Sequence, residues 1–333
     1  MKLLLIILLT SAFTLNAQTI LLLNEGTNTN IRGLSVVTND VLWVSGNKGM
    51  VGLSLNGGAL VQWQKIPGYE NTDFRDIEAF SSTEAIIMGI DKPAYILKTN
   101  DAGRNWKRVY YNNNPGIFLD AMHFWNQQSG IVIGDPIDST FFVIRTFDEG
   151  NTWQTVPQKH LPKATKGEAC FASSGSNITA MGNNKAVFIS GGLQSNFYNK
   201  NDRVNLPLLQ GKESTGANSV AVSSKQKNVI IVGGDFTQKN DTTGNCAISN
   251  NAGKTFTRSV IPPNGYRSCV AFYTKTKAIT CGLNGVDVTN NAGYTWKNIS
   301  NTSYNVCAKA KTGNAVYVAG SNGKIGKLIT NEK

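Results

Sequence analysis

Short apolar runs that end in glycine recur along this chain, and a polar turn followed by an aromatic residue comes after most of them. The clear runs lie at 85–89, 131–134, 229–233 and 278–282, and their turns lie at 99–106, 146–153, 249–256 and 289–296. No sustained 3.6-residue apolar periodicity follows the first 20 residues. The pattern therefore predicts short β-strands rather than helices.

Three weaker copies, at 42–46, 186–191 and 315–320, complete the series. Residues 196–212 are predicted to be an irregular segment of the fourth repeat. The spacing of the repeats is close to the ~40–45 residues of a four-stranded propeller blade. The sequence therefore predicts an all-β, seven-bladed β-propeller. The glycines that mark its blades are Gly46, Gly89, Gly134, Gly191, Gly233, Gly282 and Gly320.

The two ends of the chain predict how the ring closes. Residues 19–23 read as a strand without a blade, and the last repeat stops near Ile329 without an aromatic turn. We expect the N-terminal strand to complete the seventh blade, which removes exposed sheet edges.

The four clear turns share the form Ser/Thr-x-Asp/Asn-x-Gly, followed two residues later by Thr or Asn and then Trp or Phe. This is the Asp-box, or BNR, pattern. An Asp or Asn side chain in such a turn accepts hydrogen bonds from backbone amides, and Gly adopts backbone conformations open to few other residues. Since Asn replaces Asp in two copies, we expect a structural role, with ligand or metal binding as the alternative. The motif residues are Asp101, Gly103, Trp106, Asp148, Gly150, Trp153, Asn251, Gly253, Phe256, Asn291, Gly293 and Trp296.

The first 17 residues read as a signal peptide. Lys2 precedes an apolar run at 3–9, and Ala17 is a small residue suited to cleavage, giving a mature start at Gln18. The run is shorter than the ~20 residues that span a bilayer. We expect an exported protein, periplasmic or extracellular, with one propeller domain over residues 18–333 and no membrane span.

Charge and cysteine content narrow the function classes. The net charge is +11, but the basic residues are scattered, whereas nucleic-acid binders usually concentrate them on one face. We expect no nucleic-acid partner, and at most a preference for anionic partners. With no CxxC motif and two histidines, no zinc site is expected, and no other metal or cofactor either.

The five cysteines leave at least one thiol unpaired. Cys170, Cys269 and Cys307 share the strand phase of apolar residues in other repeats, which predicts small buried side chains. A disulfide between neighbouring blades is the alternative.

On these repeats, the chain resembles the photosystem II stability/assembly factor-like family of BNR-repeat propellers. The segments that carry the resemblance are the Asp-box turns, residues 74–80, residues 134–136 and residues 265–269. The resemblance covers the predicted mature chain and implies a binding scaffold. Although some bacterial relatives are labelled oxidoreductases, no GxGxxG motif supports hydride chemistry here.

The entrances of the inner strands predict a binding site at the mouth of the channel. Arginine there suits bidentate contacts with carboxylate or phosphate, and the alternative is a buried ring of ion pairs that joins the blades. The predicted set is Arg32, Arg75, Asp76, Asp120, Glu168, Asn218, Arg267 and Asn305.

We expect a scaffold that binds a protein or peptide partner at this face rather than an enzyme. The alternative is a sialidase-like glycoside hydrolase acting on a carboxylated glycan, with the three arginines, Glu168 and Tyr266 as its site. The Arg-Ile-Pro signature of sialidases is absent, and sialidases have six blades rather than seven. No residue pattern identifies the partner or the oligomeric state.

Overall fold

A computed structural model describes residues 18–90, 93–200 and 202–330. The predicted signal peptide lies outside these residues. The fold is almost entirely β: within the described ranges, the helical structure is one 3₁₀ turn, Gln158–His160. None of the helical structure in those ranges is long and apolar enough to cross a membrane.

Seven antiparallel blades form a β-propeller, as the repeats predict. The first strand of each blade is innermost, because the first strands of neighbouring blades contact one another around the ring. Blade one consists of β2 (Ile31–Val36), β3 (Leu42–Gly46), β4 (Met50–Ser54) and β5 (Gln62–Lys65). Blade two consists of β6 (Phe74–Ala79), β7 (Ala85–Gly89), β8 (Ala94–Thr99) and β9 (Lys107–Asn112). Blade three consists of β10 (Leu119–Phe124), β11 (Gly130–Ile137), β12 (Thr140–Thr146) and β13 (Gln154–Thr155).

The remaining blades follow the same order around the ring. Blade four consists of β15 (Ile178–Ala180), β16 (Ala186–Ile189), β18 (Asn196–Asn199) and β19 (Asp202–Asn205). Blade five consists of β20 (Thr215–Val222), β21 (Val229–Asp235), β22 (Cys246–Ser249) and β23 (Thr257–Arg258). Blade six consists of β24 (Cys269–Phe272), β25 (Ala278–Gly282), β26 (Gly285–Thr289) and β27 (Lys297–Ser300). Blade seven consists of β28 (Val306–Lys309), β29 (Val316–Ala319), β30 (Ile325–Ile329) and β1 (Thr19–Asn24).

Blade four corrects one prediction. Residues 196–212 were expected to be irregular, but β18 and β19 in that stretch pair regularly as its two outer strands. The irregular segment precedes the blade instead, between β13 and β15. It contains the short strand β14 (Glu168–Ala169), which pairs with β17 (Gly191–Gly192), and β17 extends the sheet of blade five.

The N-terminal strand closes the ring, as predicted. β1 pairs antiparallel with β30, in a register that places Thr19 opposite Ile329. Residues from both ends of the chain thus share the sheet of blade seven, and this pairing covers the edge that β30 would otherwise expose.

The predicted turns share one hydrogen-bond pattern. In blade two, the Thr99 hydroxyl donates to Asp101 at 2.9 Å and accepts from the Gly103 amide at 3.0 Å. The Asn105 amide then donates to Asp101 at 2.9 Å. The turns of blades three, five and six repeat this pattern, including the two with Asn. The side chain of the third residue therefore stabilises the turn itself.

These turns also join neighbouring blades. Trp106 of blade two packs edge-on against Trp43 of blade one, with ring centroids 6.3 Å apart. Gly103 has a φ of 82°, and a Cβ at that position would clash with Gln64 of blade one. Glycine therefore suits this position because of the left-handed backbone, since the Gln64 side chain is flexible and could move aside.

All five cysteines are free and buried. The Cys269 and Cys307 thiols each lie within 3.6 Å of a backbone carbonyl oxygen. Their positions match the predicted packing role, and the structure contains no disulfide between them.

Candidate functional site

A cavity of about 450 Å³ lies at one mouth of the central channel. Blades one and two contribute cationic side chains, blades five and six contribute apolar ones, and the irregular segment before blade four forms the floor. The lining residues are Arg32, Arg75, Phe118, Asp135, Ala169, Cys170, Phe171, Ala172, Ser173, Phe236, Tyr266, Ser268 and Leu283.

Residues 171–176, which we call the crossing segment, run across the channel and contact four blades. The carbonyl oxygen of Ser173 accepts a hydrogen bond from Arg32 Nη1 at 3.1 Å, and that of Ala172 accepts one from Arg75 Nη1 at 3.3 Å. On the far side, Ser174 Oγ donates to the Ser268 carbonyl at 2.8 Å. Ser176 Oγ donates to Ser219 Oγ at 2.7 Å. The segment therefore closes the channel below the cavity.

The two arginines come from the entrances of β2 and β6 on neighbouring blades. Burial lowers the pKa of Arg32, and the nearby charge of Arg75 lowers it further. Arg32 Nε is buried without a hydrogen-bond partner, whereas Arg75 Nε donates to Asp73 at 2.9 Å. Arg75 thus has a paired carboxylate, whereas the Arg32 guanidinium has none among the described residues and retains unused hydrogen-bonding capacity.

A carboxyl group whose pKa is shifted lines the same cavity. Burial raises the pKa of Asp135 to about 6, although a hydrogen bond from the Cys170 amide, at 2.9 Å, opposes the shift. The site is therefore more positive below pH 6 than above it.

The opposite wall is apolar and partly open to solvent. Phe236 is 43% exposed and Leu283 is 36% exposed. Phe236 packs edge-on against Phe171, with ring centroids 6.0 Å apart. A ligand in this cavity would meet cations on one side and aromatic surface on the other.

Tyr266 joins the cavity wall to the predicted residue Asn218. Its hydroxyl donates to Asn218 Oδ1 at 2.9 Å, and Ser173 Oγ donates to the same oxygen. Burial raises the pKa of Tyr266. The tyrosine therefore serves as a neutral donor that helps to hold the crossing segment.

Of the predicted channel-mouth set, only Arg32 and Arg75 line the cavity. Arg267 is fully buried and forms an ion pair with Asp287, and it donates further hydrogen bonds to the Tyr266 and Asn264 carbonyls at 2.8 Å. Its side chain joins parts of blade six. The alternative expected from the sequence was a ring of ion pairs joining the blades, whereas this ion pair lies within blade six.

The Glu168 side chain does not line the cavity either, although the next residue, Ala169, does. It was aligned with the inner strands, but the inner strand of blade four is β15, and Glu168 lies on β14. Its carboxylate accepts hydrogen bonds from Asn196 at 2.9 Å and Tyr198 at 2.7 Å. Burial alone would raise its pKa, but these bonds and those from Ser190 and Thr165 lower it.

Two of the other three residues of the set, Asp76 and Asn305, connect blades. Asp76 accepts from the Met122 amide of blade three at 2.6 Å, and Asn305 of blade seven donates to the Ile31 carbonyl of blade one at 2.9 Å. Asp120 is fully buried, and its carboxyl lies near the backbone amides of Ala172 and Asp135. Burial raises the pKa values of both aspartates well above the usual range.

Sequence reasoning missed the apolar wall and Asp135. Asp135 and Leu283 directly follow the marker glycines Gly134 and Gly282, and Phe236 lies three residues after Gly233. In an antiparallel blade the end of the second strand lies beside the start of the first. The residues just after these glycines could therefore have indicated the part of the site that the prediction missed.

Comparisons with known proteins identify similar folds. No protein-family profile matches the chain, and no curated protein matches it. The structure described as YCF48 bound to D1 peptide has a TM-score of 0.62 at 14% identity, over 96% of this chain and 99% of that one. YCF48 from Cyanidioschyzon merolae has a TM-score of 0.66 at 15% identity, over 93% and 98%. The structure of U3-55K has a TM-score of 0.64 at 11% identity, also over 93% and 98%. At these identities the likeness shows the propeller fold.

Proposed function

We propose that this chain is an exported binding scaffold that holds a protein or peptide partner at the channel mouth through an acidic group of the partner. The observation that carries the proposal is the pairing of Arg32 and Arg75 in one cavity, opposite an exposed aromatic wall. A guanidinium matches a carboxylate in planar, bidentate geometry. The apolar wall adds a surface for a neighbouring side chain of the same peptide.

The similar fold of YCF48, which was solved bound to D1 peptide, supports a peptide as the ligand class. We also propose that the four shared turns are Asp-boxes, and that the chain is related to the photosystem II stability/assembly factor-like propellers it resembles. The hydrogen bonds that Asp101 and Asn251 accept within their turns support this assignment.

Selection from a random octapeptide display library tests the binding function. Peptides retained by the protein and not by an Arg75→Glu variant should be enriched in Asp or Glu beside Leu, Phe or Tyr. Enrichment of basic peptides, or equal retention by both proteins, would overturn the proposal.

Export is the second part of the proposal and needs its own test. Expression of the full chain in a bacterial host, followed by N-terminal sequencing of the periplasmic fraction, should give a protein that begins at Gln18. Recovery of the uncleaved chain only from the cytoplasm would contradict export.

The glycosidase alternative receives less support from the geometry. It requires Arg267, Glu168 and Tyr266 to act with Arg32 and Arg75 in one pocket, yet Arg267 and Glu168 bind partners elsewhere. The Tyr266 hydroxyl donates a hydrogen bond to Asn218 Oδ1 and is not directed to a substrate. Turnover of sialosides or uronic-acid glycosides by the purified protein would favour the hydrolase.

A further inference from the structure

The propeller has a second chemically distinct face, opposite the arginine cavity. The hairpins that join the first and second strands of successive blades all lie on this side, because the inner strands run in the same direction around the ring. Five lysines lie in these hairpins, or at the strand ends next to them, in blades four to seven. We call them the lysine face: Lys185, Lys225, Lys227, Lys275 and Lys309. All but Lys309 are exposed, and Lys309 is half-buried.

Acidic residues are scarce in blades six and seven, whereas in blade four the exposed Asp202 lies in the β18–β19 hairpin on the same side as Lys185. Between Cys246 and Thr330 the chain has ten lysines and arginines and a single acidic residue, Asp287. Asp287 is 1% exposed and is neutralised by Arg267. None of the five lysines forms an ion pair with another described residue. In blades six and seven the positive charge is therefore hardly offset by carboxylates.

The lysine face also contains a cavity. About 640 Å³ lies between the hairpins of blades five, six and seven, lined by Val222, Ser224, Phe272, Tyr273, Thr274, Lys275 and Lys309. Two ammonium groups thus border a depression with two aromatic rings and an aliphatic side chain in its wall. An anionic headgroup attached to an apolar chain has this combination of properties.

The kind of cation favours one class of partner. All five charges are lysines, whose compact and strongly hydrated ammonium groups attract diffuse negative charge without a fixed planar geometry. Basic residues near an anionic bilayer each contribute to adsorption, and the effect weakens within a Debye length. Acidic proteins are commonly bound through arginine and aromatic anchors, and the lysine face has no arginine.

We propose that the lysine face docks onto an anionic phospholipid bilayer, with a phosphate headgroup in the cavity beside Lys275 and Lys309. In this orientation the Arg32–Arg75 cavity, on the other side of the disc, faces away from the membrane. The proposal is independent of the peptide-binding function, since the two faces share no residues.

Vesicle co-sedimentation tests this proposal. The probes are phosphatidylcholine vesicles and vesicles containing about one-third phosphatidylglycerol, at low and high salt. We expect binding to the anionic vesicles only, and its loss at high salt. The variant Lys225→Glu/Lys227→Glu/Lys275→Glu should bind the anionic vesicles about a hundredfold more weakly.

A matched control makes the same change in net charge on the other side of the molecule. Lys166, Lys212 and Lys239 are exposed, and their triple change to glutamate should alter vesicle binding less than about twofold. Equal losses in the two variants would overturn the docking face, because only net charge would then matter. Absence of vesicle binding by the unaltered protein, including the case in which it binds an acidic protein instead, would also overturn it. The lysine-face variant keeps Arg32 and Arg75 and changes only the opposite face, so its retained peptide binding distinguishes this outcome from a failure of the proposed function.

Discussion

The guanidinium of Arg32 donates a hydrogen bond to the carbonyl oxygen of Ser173, 141 residues further along the chain, at 3.1 Å. The same guanidinium lines the open cavity, so one side chain both anchors the crossing segment and faces a potential ligand. Its Nε has no hydrogen-bond partner among the residues that the structure describes. We infer that a carboxylate bound here would satisfy a donor that is otherwise buried without a hydrogen bond.

Ligand binding should depend on the protonation of Asp135. Because the pKa of this carboxyl is about 6, it loses its proton between pH 5 and 7 and then adds a negative charge to the cavity wall, which repels an acidic ligand. Affinity for an acidic peptide should therefore be roughly three- to tenfold higher at pH 5.5 than at pH 7.5. Fluorescence anisotropy at the two pH values measures this, and the Asp135→Asn variant should lose the difference.

The same group should make stability depend on pH. The pKa of Asp135 is higher in the folded state than the ordinary value of ~3.9, so the fold favours the protonated form. Stability should fall as pH rises from about 4 to about 6, by up to ~3 kcal/mol. At pH 7.5 the Asp135→Asn variant should be more stable than the unaltered protein. Urea denaturation should show that the difference between their free energies of unfolding disappears near pH 4. A gap that widens on acidification would contradict this assignment.

Arg267 should matter for stability and not for ligand contact. Arg267→Met leaves the Asp287 carboxylate buried without its partner, which costs about 3–5 kcal/mol. Arg267→Met/Asp287→Leu removes both charges and should recover a large part of this loss. Chemical denaturation measures whether stability decreases from the unaltered protein to the double variant and then to Arg267→Met. Both proteins should bind peptide with nearly unchanged affinity per folded molecule, and a selective loss of binding would instead place Arg267 in the site.

The closing strand should contribute stability through one side only. Ile20 is half-buried and packs into the core of blade seven, whereas its neighbour Leu21 is 50% exposed. Ile20→Asp should cost about 2–4 kcal/mol, because it removes buried apolar area and buries a charge. Leu21→Asp is the matched control and should cost less than about 1 kcal/mol. Thermal unfolding measures both, and equal effects would argue against the observed register of β1.

The turn residues should behave as structural elements. Asp148 accepts hydrogen bonds from the Thr152 amide at 2.9 Å and the Thr152 hydroxyl at 2.7 Å, so Asp148→Ala should cost about 1–2 kcal/mol. Asn251 makes the equivalent turn with an amide side chain, and Asn251→Asp should change stability by less than ~0.5 kcal/mol. If these two changes altered peptide or metal binding without altering stability, the structural role would be wrong.

The fold could be predicted from the sequence because every repeat must meet the same requirement for close packing between blades. Glycines at strand ends and in turns such as Gly103 mark close contacts between blades, and these recur with the period of one blade. Closure by β1 was also predictable, since residues 19–23 had strand character and blade seven lacked its outer strand. Blade four was the exception, because the irregular segment before it displaced the alignment and led to the misplacement of Glu168.

Only half of the site could be predicted, because local sequence patterns do not show which side chains pair with each other. Arg75 and Arg267 occupy similar positions in their repeats. Arg267 is nevertheless buried in blade six by its ion pair with Asp287, whereas Arg75 lies at the surface of the cavity. Nothing in the sequence of residues 171–176 indicates that they cross the channel. That arrangement depends on hydrogen bonds to residues far along the chain, such as Ser268.

Calorimetric titration of a library-selected acidic octapeptide tests the central claim most directly. The unaltered protein should bind with one site per molecule, and Arg32→Gln/Arg75→Gln should weaken binding by about a hundredfold or more, since each charge-assisted hydrogen bond contributes ~1.5–3 kcal/mol. Arg104→Gln, an exposed change outside the cavity, should leave the affinity unchanged. Binding of equal strength by the double variant would contradict the assignment of the channel mouth as the peptide site.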